Sequence, residues 1–185
     1  MSGTDLASVL RGVQERQEDC LPVLPERAID LWKAIRGLLV EWSNAGLLRE
    51  PPYDIHRLVK ASPPSGGVVA LTICDPARPH FTRYDGAWFD FHITVRETRD
   101  RPLELVAYGF ELRFPSDVGA HGPAWIRFDL NPPGHDNDLR GVRAHLHPSS
   151  DDWSLPSPIL SPKEMLCLFV VGISARDLAH PRATT

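Results

Sequence analysis

Apolar residues recur at helical spacing in the first quarter of the chain and at alternating spacing after it. In residues 4–18, Leu6, Val9, Leu10 and Val13 fall on one side of a weak amphipathic helix. A stronger stripe of Ala28, Leu31, Trp32, Ile35, Leu38, Leu39 and Trp42 predicts a second helix, with Pro25 at its first position and Gly46 as its stop. Two tryptophans on that stripe mark a docked helix, and they read as core.

After the Pro-Pro pair at 51–52 the period shortens to two. "YDIHRLVKA", "VVALTIC", "WFDFHITVR", "LELVAYGFELRF", "AWIRFDL" and "VRAHLH" are rich in β-branched and aromatic residues and lie between turn residues, so each predicts a strand. In residues 88–96, Phe89, Phe91, Ile93 and Val95 share one face, while Asp90, His92, Thr94 and Arg96 share the other. Val106, Tyr108, Phe110, Leu112 and Phe114 alternate with Glu111 and Arg113 in the strand that follows. The linker at 97–102 is short enough for a hairpin, which makes these two strands antiparallel neighbours. The chain closes on a helix announced by Ser161, Pro162 and Glu164, a capping box, running to about residue 175 and burying Met165, Leu166, Leu168, Phe169 and Ile173.

Helices, then strands, then a helix describe an α+β protein: a mainly antiparallel sheet of about six strands, covered on one face by N-terminal helices and a C-terminal helix. Residues 1–48 read as an N-terminal helical extension, 49–180 as the α+β domain and 181–185 as a frayed tail. The 185 residues fill one core. Hydrophobic residues at 42% and charged residues at 24% place the chain among ordinary globular proteins, and its eighteen prolines cluster between the short elements as punctuation.

A net charge of -4 excludes coating of nucleic acid by bulk electrostatics and leaves only a local basic patch open. Cys20, Cys74 and Cys167 are odd in number and widely spaced, which suits reduced cytoplasmic thiols. The N-terminus carries no secretion signal, and the longest apolar run, 165–173, falls far short of the ~20 residues that span a bilayer. No Walker, Rossmann or G-x-S-x-G signature is present, so no cofactor is expected.

Chemistry concentrates between Trp125 and Pro148. Alternation in "AWIRFDL" puts Ile126, Phe128 and Leu130 inward and Trp125, Arg127 and Asp129 outward. In "VRAHLH" it puts Val142, Ala144 and Leu146 inward and Arg143, His145 and His147 outward. If the two strands pair, those outward residues line one polar surface, with His135, Asp136 and Asn137 in the loop at its end. Three uses follow. Two histidines about 7 Å apart, at ~3.3 Å per residue, bind one Zn, Mn or Fe together with Asp129 or Asp136. They also serve as general acid and base on a phosphodiester while Arg127 or Arg143 stabilises the developing charge. Or the surface binds phosphate without chemistry. Against all three stands a solvated strand face carrying ordinary ion pairs, in a chain with eight histidines.

The segment from Trp125 to about Gly172 resembles the end of small bacterial toxins of the TumE type. Arg127-Phe128-Asp129, Asp136-Asn137, His145-Leu146-His147 and the helix from Pro162 follow that family's order over about a quarter of the chain. Here the Asp-Asn lies in a separate Pro- and Gly-rich loop, and a long helical region precedes the strands. The resemblance implies a small cytoplasmic protein of a toxin-antitoxin or defence locus that acts on RNA with a partner. The leading expectation is thus a nuclease-like protein with little or no metal dependence. His145 and His147 act as acid and base, Arg127 and Arg143 hold phosphate and Asp129 orients a histidine. The rival is a non-catalytic interaction subunit of such a complex, docking its partner through the N-terminal helices.

Overall fold

The computed structural model describes residues 6–18, 21–73, 80–99, 101–115, 124–152 and 154–173. Helix α1 spans Leu6–Glu18 and α2 Ala28–Asn44. Helix α2 starts three residues after the expected Pro25, because Arg27 is still extended and serves as its N-cap. Its buried stripe is Ala28, Leu31, Ile35, Leu39 and Trp42, with Trp32 and Leu38 packed partly against the same core. The boundary drawn after residue 48 therefore cuts through a single hydrophobic cluster, in which α2 and the sheet are inseparable.

The segment expected to be the first strand is mostly helical. Residues Pro52–Leu58 form α3, and only Val59–Ala61 are extended, as β1. Pro52 occupies the first helical position, where its missing N–H costs nothing, and Ile55 and Leu58 bury at a spacing of three. The remaining strands are β2 (Val68–Ile73), β3 (Phe81–Thr82), β4 (Trp88–Arg96), β5 (Glu104–Arg113), β6 (Trp125–Leu130), β7 (Ala144–Pro148) and β8 (Leu155–Pro156). Together they make an eight-stranded antiparallel sheet in the order β1-β2-β4-β5-β6-β7-β8, with β3 paired to β4. Strands β3 and β8 raise the count above six; at two residues each they are too short to show a period. A one-turn helix, α4 (Asp136–Leu139), fills the loop between β6 and β7.

The hairpin of β4 and β5 is present, with a bulge at Thr94/Val95 that sets Leu105 opposite Val95 and Ala107 opposite Thr94. Leu105 and Val106 are therefore both buried, where strict alternation expects only one of them inward. The C-terminal helix α5 (Pro162–Cys167) has the full capping box, with Ser161 accepting from the Glu164 N–H and Glu164 accepting from the Ser161 N–H. It widens into a π-helical turn over Leu168–Gly172, and the expected residues 174–175 lie outside the described region. Phe169 on that turn meets Phe89 and Phe110 edge-on, at 6.4 and 6.0 Å between centroids, pinning the helix to the apolar face of the sheet.

Helix α1 meets the chain just before β7. Gln14 Oε1 accepts the Arg143 backbone N–H at 2.9 Å, and a Cβ at Gly141, where φ is 72°, would overlap the α1 backbone at Leu10 and Arg11. Only glycine suits that approach. Among the described residues no helix is long and apolar enough to cross a membrane.

Candidate metal centre on the polar sheet face

Strands β6 and β7 pair as their adjacency suggested, with Asp129 opposite His145 and Arg127 opposite His147. Period-two alternation then turns all four side chains away from the apolar core and onto one face. They converge on a single atom. Asp129 Oδ2 accepts from Arg127 Nε at 2.8 Å and lies 3.8 Å from His145 Nε2 and 3.6 Å from His147 Nε2. The two imidazoles meet edge to face at 4.8 Å between centroids.

This face is less open than alternation alone implies. The His145 side chain is 3% exposed, His147 10%, Asp129 17% and Arg127 29%. After β7 the chain turns back at Ser149, the one described non-glycine residue with positive φ, and the return covers the cluster. Ser149 bonds to the backbone of Trp125, Ser150 presents its carbonyl to His147 Nδ1 at 3.2 Å, and Asp151 reaches Arg127 Nη2 at 2.7 Å.

Four of the expected contributors sit elsewhere. Arg143 shares the parity of the histidines but precedes β7, and its side chain turns inward to donate to the carbonyls of Asn131 and Val106. It is 7% exposed and committed to the backbone, so it is not placed to hold phosphate. His135 and Asn137 bond to each other in the turn of α4, where His135 Nδ1 accepts the Asn137 N–H. Asp136 opens that turn, and no ion pair or hydrogen bond joins any of the three to Asp129 or His145 among the described residues. Sequence reasoning missed Asp151, which lies in a loop without periodicity, and Glu111, which faces Arg127 from β5 at 4.0 Å. It also missed the use of Gly109: the exposed His92 ring lies across the space that a Cβ at that position would fill, in the cross-strand row that leads through Asp129 to His145.

The electrostatics are set by this packing. Burial lowers the His145 pKa, against the opposing pull of Asp129 and of the Val142 and Arg143 carbonyls, with His147 adding to the fall, so the ring is neutral at pH 7. Its enclosed Nδ1 completes no hydrogen bond of good geometry. For Arg127, burial works against the charge, but the hydrogen bond and charge of Asp129, joined by Asp151, outweigh it and raise the pKa. Two strands further on, Asp90 is pushed up to about 6 by burial and by the charge of Glu111, with Arg113 pulling the other way.

A carbonyl oxygen only accepts, so the bond to Ser150 O requires a proton on His147 Nδ1, which in the neutral ring leaves Nε2 bearing a lone pair. That lone pair faces a carboxylate oxygen. Two acceptors held 3.6 Å apart suit a cation between them, either a proton on Nε2 or a metal ion. The third donor argues for the metal: one ligand atom each from Asp129, His145 and His147 lie within 4.8 Å of one another. With metal–ligand bonds of about 2.0–2.2 Å, atoms in one coordination sphere are separated by roughly 3–4 Å, so small side-chain adjustments close the site. Acid–base work on a phosphodiester asks for a different shape, with the two groups flanking the scissile bond, whereas here both Nε2 atoms point at the same oxygen. Comparison with protein-family models, with curated proteins and with solved structures gives no match to this chain.

Proposed function

We propose that the chain is a mononuclear metal-dependent hydrolase, with Asp129, His145 and His147 as a two-histidine, one-carboxylate ligand set for Zn, Mn or Fe. The observation that carries this reading is the convergence of the three ligand atoms within 4.8 Å, with His147 fixed in the ligating tautomer by Ser150. A divalent ion held by these three residues would supply a hydroxide nucleophile at neutral pH. Arg127 orients the Asp129 carboxylate and places a fixed cation where charge would develop on a substrate oxygen. Substrate approaches from the side of Arg127 and His147, because His145 is enclosed.

The test is a titration of metal-free, untagged protein with Co2+, followed by visible absorption. One ion per chain with ligand-field bands is expected, and both the stoichiometry and the bands vanish in His147→Ala and Asp129→Asn. An unaltered spectrum in both variants would remove the proposal.

A second reading keeps the RNA-directed role that the toxin resemblance implies, in a cytoplasmic setting and with a protein partner. One observation favours it: on the same face, Arg113 lies over the half-buried rings of Trp88 and Trp125, at 5.3 and 5.9 Å, and Arg127 lies 5.5 Å from Trp125. Aromatic rings interleaved with guanidinium groups suit the stacking of unpaired bases. The same arginines are, however, already paired with Glu111, Asp129 and Asp151, which leaves them little to give to phosphate. Fluorescence titration of Trp88 and Trp125 with a short single-stranded RNA separates the two readings. A salt-dependent quench lost in Trp88→Ala supports RNA, and an unchanged signal counts against it.

A further inference from the structure

At the opposite end of the sheet a cavity of about 360 Å³ opens beside β3, lined by Arg49, Glu50, Tyr53, Asp54, His80 and Thr82. It is separate from the metal centre. Thr82 stands opposite Trp88, Trp88 opposite Arg113 and Arg113 opposite Trp125, so three inter-strand steps of about 4.8 Å lie between the cavity and β6.

Glu50 is the unusual member. The residue is 9% exposed, and the Thr82 backbone N–H, shared between its two oxygens at 2.9 and 3.0 Å, is the one donor its carboxylate has among the described residues. Among the described residues it forms no ion pair. Arg49, which lines the same cavity, donates to the Tyr84 carbonyl, and Arg57 pairs with Asp54. A buried carboxylate without a counter-ion is costly, and in a cavity that cost is relieved by a bound cation. Asp54, with a side chain 6% exposed, adds a second carboxylate to the same lining. Tyr53 is 73% exposed, and His80 is held in place by stacking on Trp88 at 4.5 Å. Tyr53 supplies an aromatic ring at the cavity, the kind of group that an alkylammonium ion favours.

We infer that this cavity binds a small organic cation, a primary amine whose ammonium group is held by Glu50 with Asp54 beside it. The volume is in the range of sites for small molecules. Carboxylates at the base and rings at the rim fit an amine with a short alkyl chain. The site does not depend on the metal centre.

Calorimetric titration of the metal-free chain with 1,5-diaminopentane tests this, with hexanoate as the anionic probe of matched length. The diamine binds saturably and hexanoate does not. Glu50→Gln keeps an acceptor for the Thr82 N–H and weakens the diamine by about tenfold or more, the scale of one charge-assisted hydrogen bond. Asp54→Asn weakens it less, and His145→Ala leaves it unchanged while abolishing the Co2+ bands. Absence of saturable diamine binding, equal binding of hexanoate, or an unaltered affinity in folded Glu50→Gln would each overturn the inference.

Discussion

The two ends of the sheet bury carboxylates in opposite ways. At β6 and β7, Asp129 is matched inside the fold by the Arg127 guanidinium at 2.8 Å, with two imidazoles 3.8 and 3.6 Å from the same oxygen. At the β3 edge, Glu50 has one backbone N–H and no cation among the described residues. The first is a preorganised centre whose pieces depend on one another, and the second is a charge left for something else to balance. Burial alone does not separate them. What separates them is whether the fold supplies the counter-charge, and that difference predicts opposite signs for the same kind of substitution.

The largest expected effect lies in the layer that holds both ends in place. Phe169 is fully buried against Phe89, Phe110 and Phe128, and Phe169→Ala costs about 3–5 kcal/mol, read as a lower midpoint of chemical denaturation. Binding at both sites should fail only as the protein unfolds. Next comes Asp129→Asn. It removes the charge that Arg127 and the histidines face, and since Arg127 keeps Asp151, the loss in stability is about 1–3 kcal/mol. The proposed metal binding should be lost outright. Glu50→Gln carries the opposite sign: removing a charge that has no counter-ion leaves stability unchanged or raises it by up to about 1 kcal/mol while diamine binding falls. Equal destabilisation by the two substitutions, measured by the same denaturation, would erase the contrast.

How far the sequence reveals these regions follows from their physics. Arg127, Asp129, His145 and His147 were legible because strands place alternate residues on one face and β6 and β7 are adjacent in sequence and in the sheet. Arg143 was misplaced because parity was extended one residue outside β7, where the backbone no longer obeys it. Residues 53–61 mislead because Tyr53, Ile55, Val59 and Ala61 share the parity of a strand while Ile55, Leu58 and Val59 fit a helix, and the decisive fact, Pro52 at a helix start, is local. The cavity had no signature at all. Glu50 and Thr82 come together through backbone bonds between the segment after α2 and β3, which no spacing along the chain records.

The smallest effect concerns Asp90, which stands between the two ends on β4, opposite Glu111. Burial and Glu111 raise its pKa from 3.8 to about 6, so the folded protein binds more protons than the unfolded chain between those values. Stability therefore falls as pH rises from about 4 to about 6 and stays lower above that window. Asp90→Asn should remove this slope: its Tm matches the parent near pH 4 and exceeds it at pH 8. A parent whose Tm does not fall between pH 4 and 6 relative to Asp90→Asn would show that Arg113, or the approach of solvent, already balances this carboxylate. In that case the middle of the sheet resembles the β6 and β7 end, and the contrast rests on Glu50, which has no ion pair among the described residues.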